Sequence, residues 1–144
     1  MKIEIYTDGS CFNNPGPGGY GICLVINDKL EKEHSGGINK TTNNIMELTA
    51  VLKSFQYSYE TLVTIYSDSQ YVVKGYNEWI ENWVKNKWTT SAKKPVANQN
   101  LWKELYKLKT YKTNYKLAWV KAHNGNKYNE LADILAKNAA KQYE

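Results

Sequence analysis

Four acids and one histidine are the residues whose types and places suit chemistry: Asp8, Glu47, Asp68, Asp133 and His123. Taken singly, each acid has an ordinary use. Asp8 before Gly9 suits a turn, Asp68 a helix cap, Glu47 the positive end of a helix dipole, and Asp133 a solvated helix face. Gathered in one place they would behave differently. Carboxylates at close range repel one another unless cations neutralise them, and such hard oxygen ligands select Mg²⁺ or Mn²⁺. His123 lies among Lys121, Ala122, Asn124 and Gly125, a loop composition in which an exposed histidine is ordinarily without a role.

The elements that must position these groups can be read from periodicity. Residues 2–8 alternate, with Ile3, Ile5 and Thr7 on one face and Glu4, Tyr6 and Asp8 on the other, which predicts a strand. Residues 13–19 are turn chemistry, residues 20–26 read as a second strand, and residues 32–36 as a weaker third, forming an antiparallel meander. Thr42, Asn43 and Asn44 offer capping side chains before Ile45, Leu48, Leu52 and Phe55, which share a helical face. A strand over residues 62–67 leads to Asp68 and a short helix ending near Gly75. Residues 78–84 and 101–108 look helical, residues 117–120 form a last strand, and residues 128–142 a closing helix.

That order predicts an α/β fold with a mixed five-stranded sheet flanked by helices. Crossovers through helices make the first, fourth and fifth strands parallel. Asp8 and Asp68 then stand at the carboxyl ends of parallel strands, the edge where open α/β sheets bind ligands.

Composition narrows the class. The 144 residues, 42% hydrophobic and 23% charged, suit one domain over 1–144. Cys11 and Cys23 form neither a disulfide framework nor a metal motif, so two reduced thiols are expected. The charged start excludes a signal peptide and no apolar run is long enough to span a membrane, so a cytoplasmic protein, and a monomer, is expected. All nineteen cationic residues are lysines and the net charge is +5, which favours backbone contact with a polyanion over base reading by arginine.

Four blocks carry a resemblance. Tyr6-Thr7-Asp8-Gly9-Ser10, followed by Asn14-Pro15-Gly16-Pro17-Gly18-Gly19-Tyr20-Gly21, resembles the opening of type 1 ribonucleases H. Thr41 to Leu48 resembles that family's second signature and Tyr66 to Val72 its third. His123, Gly125, Asn129, Glu130, Ala132 and Asp133 match the fourth. The blocks run in order at family spacing from Ile3 to about Ala140. The resemblance implies two Mg²⁺ ions, with Mn²⁺ as a substitute, held by Asp8, Glu47, Asp68 and Asp133. It implies hydrolysis of the RNA strand of RNA–DNA hybrids, leaving 5′-phosphate and 3′-hydroxyl ends, with His123 assisting proton transfer and product departure. An imidazole suits that task, since as a class it titrates near neutrality. Asn129 and Glu130 read as helix-starting residues that position Asp133.

Hybrid recognition requires sensing the 2′-hydroxyls of one strand. Asn14, Asn44 and Gln70 resemble the family's minor-groove contacts, together with Cys11 and Ser69. Asn14 also suits a turn before Pro15, and Asn44 a helix cap. Thr42 and Asn98 match a DNA-phosphate pocket, beside which Ile45 replaces a base found in some relatives. Trp79, Lys85, Lys87, Lys93 and Lys94 resemble the basic protrusion of bacterial members, with Trp79 in a DNA-facing channel. Trp83 and Trp88 fit either the protrusion or the core. Rival readings are a catalytically weak hybrid-binding module, another nuclease of the same fold, and a reverse-transcriptase fragment. The full set of acids speaks against the first and the spacing of the fourth block against the second. The start at Met1 just before the first strand, and the end just after the last helix, lead us to expect a complete chain.

Overall fold

The computed structural model describes residues 1–144. Three antiparallel strands open the chain: β1 (Ile3–Cys11), β2 (Gly16–Ile26) and β3 (Lys29–Thr41). Helix α1 (Asn43–Ser54), strand β4 (Val63–Ser67), helices α2 (Gln70–Lys74), α3 (Ile80–Lys85) and α4 (Gln99–Tyr111), strand β5 (Tyr115–Trp119) and helix α5 (Lys127–Lys141) follow. The sheet order is β3-β2-β1-β4-β5, with β1, β4 and β5 parallel to one another as expected.

Both faces of β1 are buried, although its sequence alternates like a strand with one wet face. Ile3 and Ile5 join the main core with Ile22, Leu24, Leu48, Val51, Trp102 and Leu105, beneath α1 and α4. Tyr6 packs on the other face with Cys23, Val25 and Ala132 of α5. Burial in two helix-covered layers explains why Glu4 and Asp8 are buried despite their charge.

Several boundaries move. β3 runs through thirteen residues, far beyond residues 32–36, because cross-strand pairing with β2 recruits polar positions that have no strand periodicity. The helix expected to stop near Gly75 continues. A π-helical turn (Gly75–Trp79) joins α2 to α3, with the indole of Trp102 packed where a side chain at residue 75 would lie. Trp83 and Trp88 are partly buried against the core, Trp83 edge-on to Trp102 at 5.1 Å between ring centres. No helix is long and apolar enough to cross a membrane.

Candidate active site

Sheet register brings the first two acids together. β1 and β4 are parallel neighbours with Thr7 beside Ser67, so Asp68, just past the end of β4, lies beside Asp8. Asp8 is not at the end of β1 as expected but within it, because pairing with β2 carries that strand on to Cys11. Asp68 is left free because the cap of α2 is Ser69, whose Oγ accepts the Val72 amide at 3.2 Å. Ser67 Oγ accepts the Ser69 amide, and the Trp119 indole donates to the Asp68 carbonyl at 3.2 Å, fixing the turn from both sides.

Glu47 arrives from α1, and Gly9 allows it to. A Cβ at Gly9 would lie 2.4 Å from the Glu47 backbone nitrogen, so only glycine lets the first turn of α1 rest on β1. Thr42 starts that helix by accepting the Ile45 amide on its Oγ1 at 3.2 Å. Asp133 comes from α5, on the opposite layer. Asn126 caps α5 by accepting the Tyr128 and Asn129 amides, and Gly21 lets the helix backbone approach β2.

Asp8, Glu47 and Asp68 each offer an oxygen within 4.8 Å of the others. Burial, then the charge of Asp68 and the carboxyl of Asp133, push Asp8 up to about 8. Burial and the charges of Asp8 and Asp68 raise Glu47 well above the carboxylate range. Burial raises Asp68 as well and the charge of Asp133 adds to it, while the neighbouring Glu47 and Asp8 carboxyls and the charge of His123 pull it down. Glu47 Oε1 is buried without a hydrogen-bond partner. Such an orphaned oxygen costs about 1–3 kcal/mol or more unless something ligates it.

The arrangement is three acids plus one. Asp133 adjoins Asp8 but forms a salt bridge to Lys137 at 3.1 Å, whereas Asp8, Glu47 and Asp68 have none. His123 is exposed on its loop at positive φ, within electrostatic reach of Asp68. Asn129 is buried with Oδ1 unpartnered, one turn before Asp133.

The polar residues around the acids are held in diverse ways. Asn14 is exposed, and its Oδ1 accepts the Asn43 amide at 2.9 Å, tying the β1–β2 loop to the start of α1. Cys11 is half-buried, its thiol donating toward the Thr41 and Gly16 carbonyls. Asn44 and Gln70 open α1 and α2 with exposed side chains. Asn98 adopts a left-handed φ of 57° and donates to the Tyr71 hydroxyl. Thr42 and Asn98 are thus engaged separately, with no bond joining them. Trp79 is 37% exposed and leans on Tyr71 and Trp83.

Lys85, Lys87 and Lys93 line one open hollow of about 390 Å³ with Asn86, Thr89, Thr90 and Ser91, and Lys94 is exposed beside it. A bridge between Thr89 and Pro95 ties this segment into a bend. The largest hollow, about 560 Å³ between α1 and α4, contains none of the acids. The acids lie instead where β1 and β4 meet α1 and α5, outside every such hollow.

Sequence reasoning missed two residues. Trp119 is 46% exposed yet bonded to the Asp68 backbone, a link visible only once Ser67 and Trp119 are known to be in register. Lys137 had a usable signal: it stands four residues after Asp133, the spacing of a helical ion pair.

Comparisons with known proteins agree with this geometry. The RNase H family profile matches residues 1–141. The chain is 52% identical over 139 residues to a protein of Pseudoalteromonas atlantica named Ribonuclease H, covering 96% of this chain and 90% of that one. It is 49% identical over 139 residues to Ribonuclease HI of Vibrio parahaemolyticus, covering 96% and 89%. The fold is similar to that of LC11-RNase H1, solved in complex with RNA/DNA hybrid, with a TM-score of 0.76 at 24% identity and 98% coverage of both chains. The chain belongs to the ribonuclease H family, in its bacterial type 1 form.

Proposed function

We propose that this chain is an endonuclease that hydrolyses the RNA strand of RNA–DNA hybrids with the help of two divalent cations, Mg²⁺ or Mn²⁺. One observation carries the reading: three carboxylates, those of Asp8 and Glu47 buried and that of Asp68 half-buried, lie within 4.8 Å of one another with no salt bridge, and Glu47 Oε1 has no hydrogen-bond partner. Those features fit hard divalent cations, which Asp8, Glu47 and Asp68 would hold with Asp133 alongside. When bound, a pair of such cations supplies water activation and stabilisation of the departing oxygen during in-line attack on phosphorus.

The rest is the work of the chain. Asp8, Glu47, Asp68 and Asp133 present oxygens from both layers to the scissile phosphate. The attack breaks the bond between phosphorus and the 3′-oxygen, leaving a 3′-hydroxyl and a 5′-phosphate. His123, on its exposed loop near Asp68, carries a proton to or from the acids as product leaves. Asn14, Asn44 and Gln70, with Cys11 and Ser69, face the minor groove and read the 2′-hydroxyls. Thr42 and Asn98 take DNA phosphates, and Trp79, Lys85, Lys87, Lys93 and Lys94 take the strand further along. Residues 1–144 form one catalytic domain and act as a cytoplasmic monomer.

Labelled RNA–DNA hybrid, double-stranded RNA and double-stranded DNA, each with Mg²⁺ and with EDTA, provide the test. Cleavage of hybrid alone, lost in EDTA, is expected. Equal cutting of double-stranded DNA, or cutting that survives EDTA, would overturn the reading.

A further inference from the structure

The four acids differ in what balances their charge. Asp8, Glu47 and Asp68 have no salt bridge, whereas Asp133 Oδ2 sits 3.1 Å from Lys137 Nζ. The two residues are one turn apart on α5 with the acid nearer the N-terminus, the favourable orientation for such a pair. Their surroundings are unequal. The Asp133 side chain is 20% exposed and turned in beside Asp8, while that of Lys137 is 48% exposed. A half-solvated ammonium on a flexible stem leaves a carboxylate easily, because water takes over its hydration.

We propose that Lys137 is an internal counter-ion that holds Asp133 until a divalent cation displaces it, and so sets the affinity of the cation position to which Asp133 belongs. The inference rests on the metal reading above. A cation approaching Asp133 meets a carboxylate already neutralised, and the ammonium repels it. The three acids without a counter-ion have no ammonium to displace. They take up a cation first, and the position that includes Asp133 fills second. Lys137 is thus a positioning residue, acting through Asp133.

The test is a Mn²⁺ titration of the whole chain without nucleic acid, followed by the electron paramagnetic resonance signal of free Mn²⁺. Lys137→Met removes the charge and keeps the stem, Lys137→Gln is a second neutral variant, and Lys137→Arg retains the pair. Lys141→Met, exposed one turn further along α5, removes a charge that forms no salt bridge. Both neutral variants at residue 137 are expected to bind the second Mn²⁺ about two- to fivefold tighter than the parent, the scale of a partly exposed ion pair, with the first Mn²⁺ unchanged. Lys137→Arg and Lys141→Met should bind like the parent. Mg²⁺ should also raise the melting temperature of Lys137→Met more than that of the parent. Equal affinity for the second Mn²⁺ in Lys137→Met and the parent would overturn the inference while leaving the metal reading intact. An equal gain in Lys141→Met would overturn it too, since diffuse charge would then suffice. A parent chain that takes up no Mn²⁺ would bring down both readings together.

Discussion

Asp8 carries an electrostatic cost that the metal-free protein cannot escape. Burial first, and then Asp68, push its carboxyl up to about 8. In the unfolded chain an aspartate titrates near about 3.9. Between those values the unfolded chain has released a proton that the folded chain retains, so metal-free stability falls as pH rises from about 4 to about 8. Asp8→Asn removes this penalty. Without metal, its melting temperature should match the parent's at pH 4 and exceed it at pH 8, and added Mg²⁺ should narrow the gap; its cleavage of hybrid should fall to background. A parent that melts higher at pH 8 than at pH 4 in EDTA would contradict this account. His123 lies outside that cluster, so His123→Ala should lower kcat by about 10²–10⁴-fold at most, with little change in KM. A rise in KM at constant kcat would place it in binding instead. At this scale the acids were legible because their order and spacing follow a family pattern. Lys137 and Trp119 were not, since an ion pair depends on rotamers and the indole's acceptor depends on sheet register.

At the scale of elements, the site depends on how closely two helices approach the sheet. Gly9 sets the approach of α1: an added Cβ would lie 2.4 Å from the Glu47 nitrogen and 2.6 Å from the Met46 carbonyl carbon, both backbone atoms that cannot rotate away. Gly9→Ala should therefore push α1 outward and take Glu47 with it. The expected cost in stability is that of overpacking, about 1–3 kcal/mol, measured by urea unfolding. The loss of kcat should be out of proportion to that cost, because a displacement of 1 Å in a reacting group can cost about 10²-fold. Full kcat in a folded Gly9→Ala protein would show that α1 need not sit so close. Sequence periodicity found every strand and the helices that carry acids, since their apolar faces are regular. It failed where tertiary contact overrides pattern: in β3, which is long only because β2 pairs with it, and past Gly75, where packing against Trp102 carries the helix through a π turn. It also could not tell that β1 has two buried faces, because Glu4, Tyr6 and Asp8 look polar until α5 covers them.

At the scale of the whole molecule, the site acids and the lysines of the bend stand apart. The acids converge at one end of the sheet, while Lys85, Lys87, Lys93 and Lys94 stand exposed on the bend after α3, held out by the bridge between Thr89 and Pro95. Trp83 and Trp88 root that bend in the core through Trp102 and Tyr106, so it is a fixed projection with charged tips. No acid shares the hollow lined by Lys85, Lys87 and Lys93, and none of the four lysines forms a salt bridge. Their charge is therefore available to a phosphate backbone. Replacing all four with alanine should raise KM for hybrid and leave kcat nearly intact, because the lysines lie on an element apart from the acids. Each lost phosphate contact should also flatten the salt dependence of binding, by up to about one unit of log–log slope for a duplex-like substrate. Hybrid should still be preferred to double-stranded DNA, since that choice is assigned to Asn14, Asn44 and Gln70. The tryptophan packing should hold the fold, so the melting temperature should move little. A quadruple variant with unaltered KM and unaltered salt slope would reduce the projection to a solvated surface.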